Sequence, residues 1–137
     1  MTEKSRLIDL MKDCLERKFP HYEPNHVVKA AQLSKEGEFW IGYKTNLDPF
    51  AEESTHLDIN LCGDTCFLVS IGLERDKRGQ GFGRNLYSAV EEFAKLAGSK
   101  SVRMTASGWT PSGKTRQDYM VGLGYTAIGN MEVQKVL

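Results

Sequence analysis

The most constraining feature of this sequence is a run of alternating glycines between an apolar segment and an amphipathic one. Residues 78–84 read Arg-Gly-Gln-Gly-Phe-Gly-Arg, after a continuously apolar stretch at 65–73 and before a helical pattern over about 83–97. Glycine permits positive φ and lets backbone N–H groups approach a ligand closely. The helix N-terminus adds unpaired N–H groups and partial positive charge, and Arg78 and Arg84 add formal charge. The segment therefore predicts an anion site, most naturally for a pyrophosphate.

The glycine spacing separates this segment from the dinucleotide-binding fingerprint. That fingerprint requires G-x-G-x-x-G, whereas the glycines here stand at 79, 81 and 83, so the third comes one residue early. The fingerprint also usually follows the first strand of its domain, and here more than half of the chain precedes the run. The alternative to an anion site is a simple flexible turn, but a turn requires neither basic residues on both sides nor a long helix directly after it.

Hydrophobic periodicity predicts helices and strands in alternation on both sides of the glycine run. The predicted helices cover 3–18, 83–97 and 110–123, the last opened by Thr110 as N-cap and Pro111 in the first turn. The predicted strands cover 27–33, 39–43, 56–61, 65–73, 101–106 and 125–137, with a polar loop at 46–54. This order predicts an α/β fold with a mixed sheet, and the length predicts one domain over residues 1–137.

Composition excludes several functional classes. Lys and Arg number 18 against 18 Asp and Glu, so the net charge is zero, which argues against a dedicated nucleic-acid binder. No apolar run approaches the ~20 residues of a membrane span, and the N-terminus lacks the apolar stretch of a signal peptide. The three cysteines, Cys14, Cys62 and Cys66, indicate neither a disulfide framework nor a zinc site. We therefore expect a cytoplasmic protein with no metal, no nucleic-acid partner and no membrane contact.

A second phosphate-binding pattern competes with the first. Residues 108–115 read Gly-Trp-Thr-Pro-Ser-Gly-Lys-Thr and satisfy the P-loop pattern G-x-x-x-x-G-K-[ST]. Only 22 residues follow it (137 minus 115), and the tail from 124 to 137 holds a single acidic residue, Glu132. A P-loop domain needs further strands and a metal-binding acidic residue, and Pro111 removes one amide. Nucleotide binding through 108–115 is therefore kept only as a minor alternative.

Two segments together resemble a known family. Residues 78–83 match the R/Q-x-x-G-x-G/A motif of the GNAT superfamily of N-acetyltransferases, and 84–87 are similar to the start of its pyrophosphate-capping helix. Residues 119–125, Tyr-Met-Val-Gly-Leu-Gly-Tyr, are similar to the family's F-Y-x-x-L-G-F segment. The resemblance extends over roughly residues 65–130.

The resemblance implies a GNAT-like acyl-CoA acyltransferase fold, with a centrally splayed mixed sheet flanked by helices. It implies an N-acetyltransferase whose co-substrate, acetyl-CoA, lies across the splayed strands and is attacked directly by a primary amine of a small molecule or a peptide. Carried over to this chain, the pantetheine arm would meet Ile71, Gly72 and Leu73, and the pyrophosphate would meet Arg78, Gly79, Gln80, Gly81, Phe82, Gly83 and Arg84. The acceptor and the oligomeric state stay open, with a homodimer as one option.

The catalytic groups depart from the family's pattern. Its proton-donating tyrosine stands four residues before the Gly of the L-G-F segment, and that position is Met120 here. The adjacent Tyr119 is a weak catalytic candidate for which core packing is the favoured role. Residues 65–73 contain no Asp, Glu or His, and the nearest such residues, Glu74, Asp58 and His56, are expected to be solvated or at strand edges. A CoA-binding regulatory module that has lost its catalytic groups is therefore the main alternative to an enzyme.

Overall fold

The computed structural model describes residues 2–45, 54–74, 77–110 and 112–137. Within these ranges the helices are α1 (Glu3–Lys18), α2 (Phe82–Leu96) and α3 (Arg116–Gly122). The strands are β1 (Val27–Gln32), β2 (Phe39–Lys44), β3 (His56–Cys62), β4 (Thr65–Gly72), β5 (Ser101–Thr105), β6 (Thr126–Gly129) and β7 (Glu132–Val136). The predicted helices at 3–18 and 83–97 and the first five predicted strands are confirmed to within one or two residues at each end.

The strands form a mixed sheet in the order β1-β2-β3-β4-β5-β7-β6. Every neighbouring pair is antiparallel except β4 and β5, which are parallel. A parallel pair needs a crossover connection, and α2 supplies it. The predicted fold class, a mixed sheet with helices packed on it, is confirmed.

The centre of the sheet opens where β4 carries an extra residue. Along β3, Asp58 pairs with Ser70 but the next residue, Ile59, pairs with Leu68, so Val69 forms a β-bulge. A bulge bends its strand and increases the local twist. Pairing between β4 and β5 ends at Leu68 and Met104, although β4 continues beside β3 to Gly72. The last four residues of β4 therefore diverge from β5 and leave a cleft between the two strands.

One face of the sheet is packed against α1 and α2, which also contact each other. Alternate residues of β3 point into this core, as the burial of Leu57, Ile59 and Leu61 shows. On α2 the buried side chains recur at helical spacing, and they are Leu86, Tyr87, Ala89, Val90, Phe93 and Ala94. At the helix–helix contact, Nη2 of Arg17 lies 2.5 Å from Oε1 of Glu92. This packing fixes the position of the start of α2 relative to the end of β4.

Two predictions in the C-terminal third are wrong. The last helix begins at Arg116, not at 110, because the Thr115 hydroxyl accepts a hydrogen bond from the backbone N–H of Asp118 and caps the helix there. The segment before it forms a loop closed by a bridge between Trp109 and Thr115, and Pro111 lies outside the described residues. The predicted terminal strand over 125–137 is instead the hairpin of β6 and β7, with Met131 at φ 62° in its turn. Most of the loop predicted at 46–54 also lies outside the described residues.

Two leucines on α2 provide a matched test of the core. Leu86 is fully buried, whereas Leu96 is 52% exposed on the same helix. We expect Leu86→Ala to lower the free energy of unfolding by about 2–5 kcal/mol, because it leaves a cavity in a packed interior. Leu96→Ala removes little buried surface and is expected to change stability by less than about 0.5 kcal/mol. Urea denaturation of both variants checks this, and equal losses would contradict the packing described for α2.

Candidate active site

The glycine run folds into a turn that leads directly into α2. Gly79 has φ 75°, and Gly81, the N-cap residue, has φ 85° and ψ 0°. A Cβ atom at either position would meet nothing within 4 Å, so glycine is required here by the backbone conformation and not by lack of space. The predicted loop and the start of the helix are therefore where the sequence places them, within one residue.

The N-terminus of α2 has the features of a candidate anion site. No side chain of the described residues caps it, and its first turn contains no acidic residue. Arg78 and Arg84 are exposed beside it, and Nε of Arg78 donates to the backbone carbonyl of Leu73 at 3.1 Å. Uncapped N–H groups, the positive end of the helix dipole and two guanidinium groups together favour a phosphate group here.

Glu74 anchors the loop to the end of β4. Its carboxylate accepts hydrogen bonds from Nζ of Lys77 and from the hydroxyl of Thr45, both at 2.8 Å. The bond from Lys77 is the main reason that the pKa of Glu74 is lowered from its ordinary value, and the bond from Thr45 adds to it. The backbone N–H of Glu74 donates to the Thr55 hydroxyl at 3.3 Å. Glu74 is therefore a partly buried junction between the sheet and the turn, and no local pattern in the sequence indicates these partners.

A cleft of about 310 Å³ lies where β4 and β5 part. It is lined from both strands, from α2 and from the start of α3 by Leu68, Val69, Ser70, Ile71, Tyr87, Met104, Thr105, Ser107 and Arg116. Of the residues predicted for the pantetheine arm, Ile71 lines the cleft, and Gly72 and Leu73 follow it along the chain toward the glycine run. The divergent end of β4 thus runs from the cleft toward the uncapped helix N-terminus.

The sequence did not identify the polar residues of the cleft, among which Tyr87 and Arg116 are the largest. Tyr87 is only 6% exposed, and burial is the main cause that raises the pKa of its phenol, partly offset by the nearby Arg116. Nε of Arg116 is buried and has no hydrogen-bond partner among the described residues. Tyr87 lies on the apolar face of a helix and Arg116 follows a helix cap, so neither carries a sequence signal that distinguishes it from a packing or surface residue.

The predicted catalytic candidate, Tyr119, does not line the cleft. The ring of Tyr119 packs against that of Tyr87, with centroids 6.4 Å apart, but Tyr119 is not among the lining residues. Met120 is fully buried in the core, so it does not present a polar group where the family pattern expects a tyrosine. The tyrosine that lines the cleft is therefore Tyr87 of α2, and not Tyr119 of α3.

His56 of β3 reaches across to β4. Its Nε2 lies 2.9 Å from Oγ of Ser70, a residue of the cleft wall, and its Nδ1 lies 3.2 Å from the carbonyl oxygen of Ser54. The imidazole lies over Gly72, where an added Cβ would come within 2.5 Å of Cε1 of the ring. Asp58, the other polar side chain considered on this strand, accepts a hydrogen bond from Nε1 of Trp40 at 3.2 Å. His56 was expected to be solvated or at a strand edge, but it is partly buried on an inner strand and contacts the wall of the cleft.

The P-loop-like segment does not form a phosphate cradle in its described part. The N–H groups of Thr110 and Gly113 donate to carbonyl oxygens within the loop, at 2.8 and 3.0 Å, and that of Arg116 donates to Gly108 at 3.0 Å. Amides paired in this way are not available to a phosphate, in contrast to the start of α2.

Two other kinds of site are absent from the described residues. Among them, no group of three or more His, Cys, Asp or Glu side chains is placed to hold a metal ion. No helix in the same ranges has the length and apolar character needed to cross a membrane.

The family of the chain is established by comparison with known proteins. The profile of the Acetyltransferase (GNAT) family matches residues 5–108, well over half of the sequence. The protein therefore belongs to the GNAT acetyltransferase family. No curated protein matches the sequence at a significant level.

Solved structures of low sequence identity share the fold. An acetyltransferase from Thermus thermophilus is 19% identical with a TM-score of 0.52, over 72% of this chain and 64% of that one. PaiA N-acetyltransferase from Thermoplasma acidophilum, in complex with coenzyme A, is 12% identical with a TM-score of 0.50, over 73% and 60%. YhhK from E. coli, bound to coenzyme A, is 19% identical with a TM-score of 0.52, over 94% and 91%. This chain thus spans less than two thirds of the first two proteins and nine tenths of the third.

Two glycines of the turn give predictions of opposite sign. Gly81 lies at positive φ, so Gly81→Ala is expected to lower the free energy of unfolding by about 1–2 kcal/mol. Gly83 lies within α2, where an added Cβ makes an ordinary contact at 3.7 Å with Leu73, so Gly83→Ala is expected to raise stability by up to about 1 kcal/mol. Thermal and urea unfolding of the two variants check this. A stabilising Gly81→Ala would show that the turn differs from the one described.

Proposed function

We propose that this protein is an acetyl-CoA-dependent N-acetyltransferase, with residues 1–137 acting as one catalytic domain. The observation that carries the proposal is the course of β4, which parts from β5 along the cleft and then leads along the chain to the glycine turn and the N-terminus of α2. An acyl-CoA needs an extended slot for its arm and an anion site for its pyrophosphate, and these two features supply them in the required order. Family membership and the coenzyme A bound to two structural neighbours support the same ligand.

The residues present fit this co-substrate. In the proposal, backbone groups of Ile71, Gly72 and Leu73 contact the arm. So do cleft groups such as Nε of Arg116, which has no hydrogen-bond partner among the described residues. The turn that holds the diphosphate consists of Arg78, Gly79, Gln80, Gly81, Phe82, Gly83 and Arg84. When bound, acetyl-CoA supplies an activated acyl group, because a thiolate leaves more readily than an alkoxide or an amide nitrogen.

The reaction places two demands on the protein. A lysine-like amine has a pKa near ~10.4, so it must lose a proton before it can attack a thioester carbonyl. The developing oxyanion needs a preorganised hydrogen-bond donor. Beyond the Val69 bulge, β4 has lost its pairing with β5, so we propose that a backbone N–H of this segment serves as that donor. The acceptor in this proposal is a primary amine on a small molecule or a peptide.

Binding is tested by a matched pair of glycine substitutions. Acetyl-CoA at 100 times its Kd is expected to raise the free energy of unfolding by about 2.7 kcal/mol. Gly81→Glu places a carboxylate at the proposed diphosphate site and is expected to abolish this increase. Gly63 also has positive φ, but it lies in the β3–β4 hairpin at the opposite end of β4. Gly63→Glu is expected to carry a similar backbone cost and to keep the increase.

Thermal-shift titration of the three proteins measures these effects. Undiminished binding by Gly81→Glu would contradict the site, and stabilisation by Mg-ATP without stabilisation by acetyl-CoA would favour the P-loop alternative.

Turnover is tested by thiol release from acetyl-CoA over a panel of amines that includes polyamines, amino acids and peptides. We expect at least one amine to give release well above the rate without acceptor. Tight binding of acetyl-CoA with no turnover on any amine would support a regulatory CoA-binding module. The observation that favours this alternative is Met120, which is buried at the position where the family pattern has a tyrosine.

A further inference from the structure

We propose that His56 and Ser70 form a proton relay that deprotonates the acceptor amine at the mouth of the cleft. The inference rests on the proposed acetyl transfer in the same cleft. It assigns the base that is absent from the sequence of β4 itself, which contains no Asp, Glu or His.

Geometry places the relay at the point where the sheet opens. Ser70 follows the Val69 bulge and lines the cleft, and its Oγ lies 2.9 Å from Nε2 of His56. His56 is opposite Gly72 in the β3–β4 register, so its side chain reaches diagonally by two residues to Ser70. The position of the bulge next to Ser70 brings the hydroxyl and the unpaired stretch of β4 together.

The surroundings of the imidazole select its tautomer. The Ser54 carbonyl oxygen, 3.2 Å from Nδ1, can only accept a hydrogen bond, so Nδ1 of the neutral ring carries the hydrogen. Nε2 then has a free lone pair and accepts the hydroxyl hydrogen of Ser70. Gly72 makes this position possible, because any Cβ there would come within 2.5 Å of the ring. The need for glycine at residue 72 is therefore steric.

The other polar groups of the cleft wall cannot act as the base. Among the described residues that line the cleft there is no carboxylate and no imidazole. Burial raises the pKa of Tyr87 above its ordinary value, so its phenol stays protonated. Arg116 cannot serve either, because its guanidinium only donates hydrogen bonds and has no lone pair to take a proton. Within this lining, Ser70 is the group through which a base reaches the cleft.

The relay balances over the whole transfer. The acceptor attacks as the neutral amine, its ammonium form having first released one proton to solvent. As the amine nitrogen bonds to the acetyl carbon, a second proton passes from it to Oγ of Ser70 while the hydroxyl proton of Ser70 passes to Nε2 of His56. The carbon–sulfur bond then breaks, and the thiolate of CoA receives a proton returned from His56 through Ser70. The products are the acetylated amine and CoA thiol, and both residues regain their starting state.

The tautomer is measurable without turnover. Two-bond ¹⁵N–¹H correlation spectra of labelled protein distinguish a neutral imidazole protonated at Nδ1 from one protonated at Nε2. We expect His56 to be protonated at Nδ1, and the Nε2 resonance to shift in Ser70→Ala, which removes its donor. Protonation at Nε2, or a spectrum unaffected by Ser70→Ala, would overturn the relay.

Kinetics with an amine substrate give the second readout. His56→Gln keeps a hydrogen-bonding group near Ser70 but cannot take a proton, and Ser70→Ala removes the intermediate oxygen. Each is expected to lower kcat by about 10²–10⁴ with unchanged binding of acetyl-CoA, and the double variant is expected to lose no more than the worse single variant. His56→Ala is expected to regain rate on addition of free imidazole. Asp58→Asn, on the same strand, is the matched control and is expected to keep wild-type kcat.

The outcomes separate this inference from the function on which it rests. Losses below about ten-fold, or losses that multiply in the double variant, would overturn the relay alone, because the wild-type protein would still transfer acetyl groups. A large loss in Asp58→Asn with none in His56→Gln would also overturn it. A wild-type protein that acetylates no amine would overturn the proposed function, and the tautomer measurement would still decide the state of His56.

Discussion

The interrupted pairing between β4 and β5 is the constraint on which the other features of the site depend. β4 stays paired with β3 as far as Gly72, with Val69 as an extra residue in that ladder, but its pairing with β5 ends at Leu68. Unpaired backbone groups inside a sheet are costly unless water or a ligand satisfies them. A binding cleft is one way to use such groups, and the bulge places the cleft at the centre of the sheet and not at its edge.

The two ends of this cleft are held in place by different forces. At one end, apolar packing of α2 on α1 and on the sheet fixes the helix whose N-terminus is uncapped. At the other end, where β4 stops, hydrogen bonds from Thr45 to the carboxylate of Glu74 and from the backbone N–H of Glu74 to Thr55 hold the start of the turn. The turn can therefore expose positive charge and N–H groups to solvent while the elements on either side of it hold it in place. The glycines of the turn set its backbone conformation, and the contacts of α2 and Glu74 fix its two ends.

Secondary structure could be predicted well where one local signal dominated. α1 and α2 have strong apolar periodicity, and their ends are marked by Pro20 and Gly98. The prediction failed near the C-terminus, where two signals of similar strength competed. Thr110 and Thr115 are both acceptable N-caps, and the hydrogen bond to Asp118 decides for the second. The turn at Met131 has no glycine at its positive-φ residue, so nothing local marked the break between β6 and β7.

By itself, the sequence determined the glycine turn at 78–84, the helix that follows it and the α/β class, because these depend on contiguous residues whose spacing is visible along the chain. Only the tertiary structure decided which side chains face the cleft. Tyr87, Arg116 and Ser70 line the cleft, and His56 contacts Ser70, through strand register and helix packing over long sequence separations. A shift of one residue in the β3–β4 register would turn His56 to the other face of the sheet, and that register depends on a bulge that no local pattern in the sequence announces.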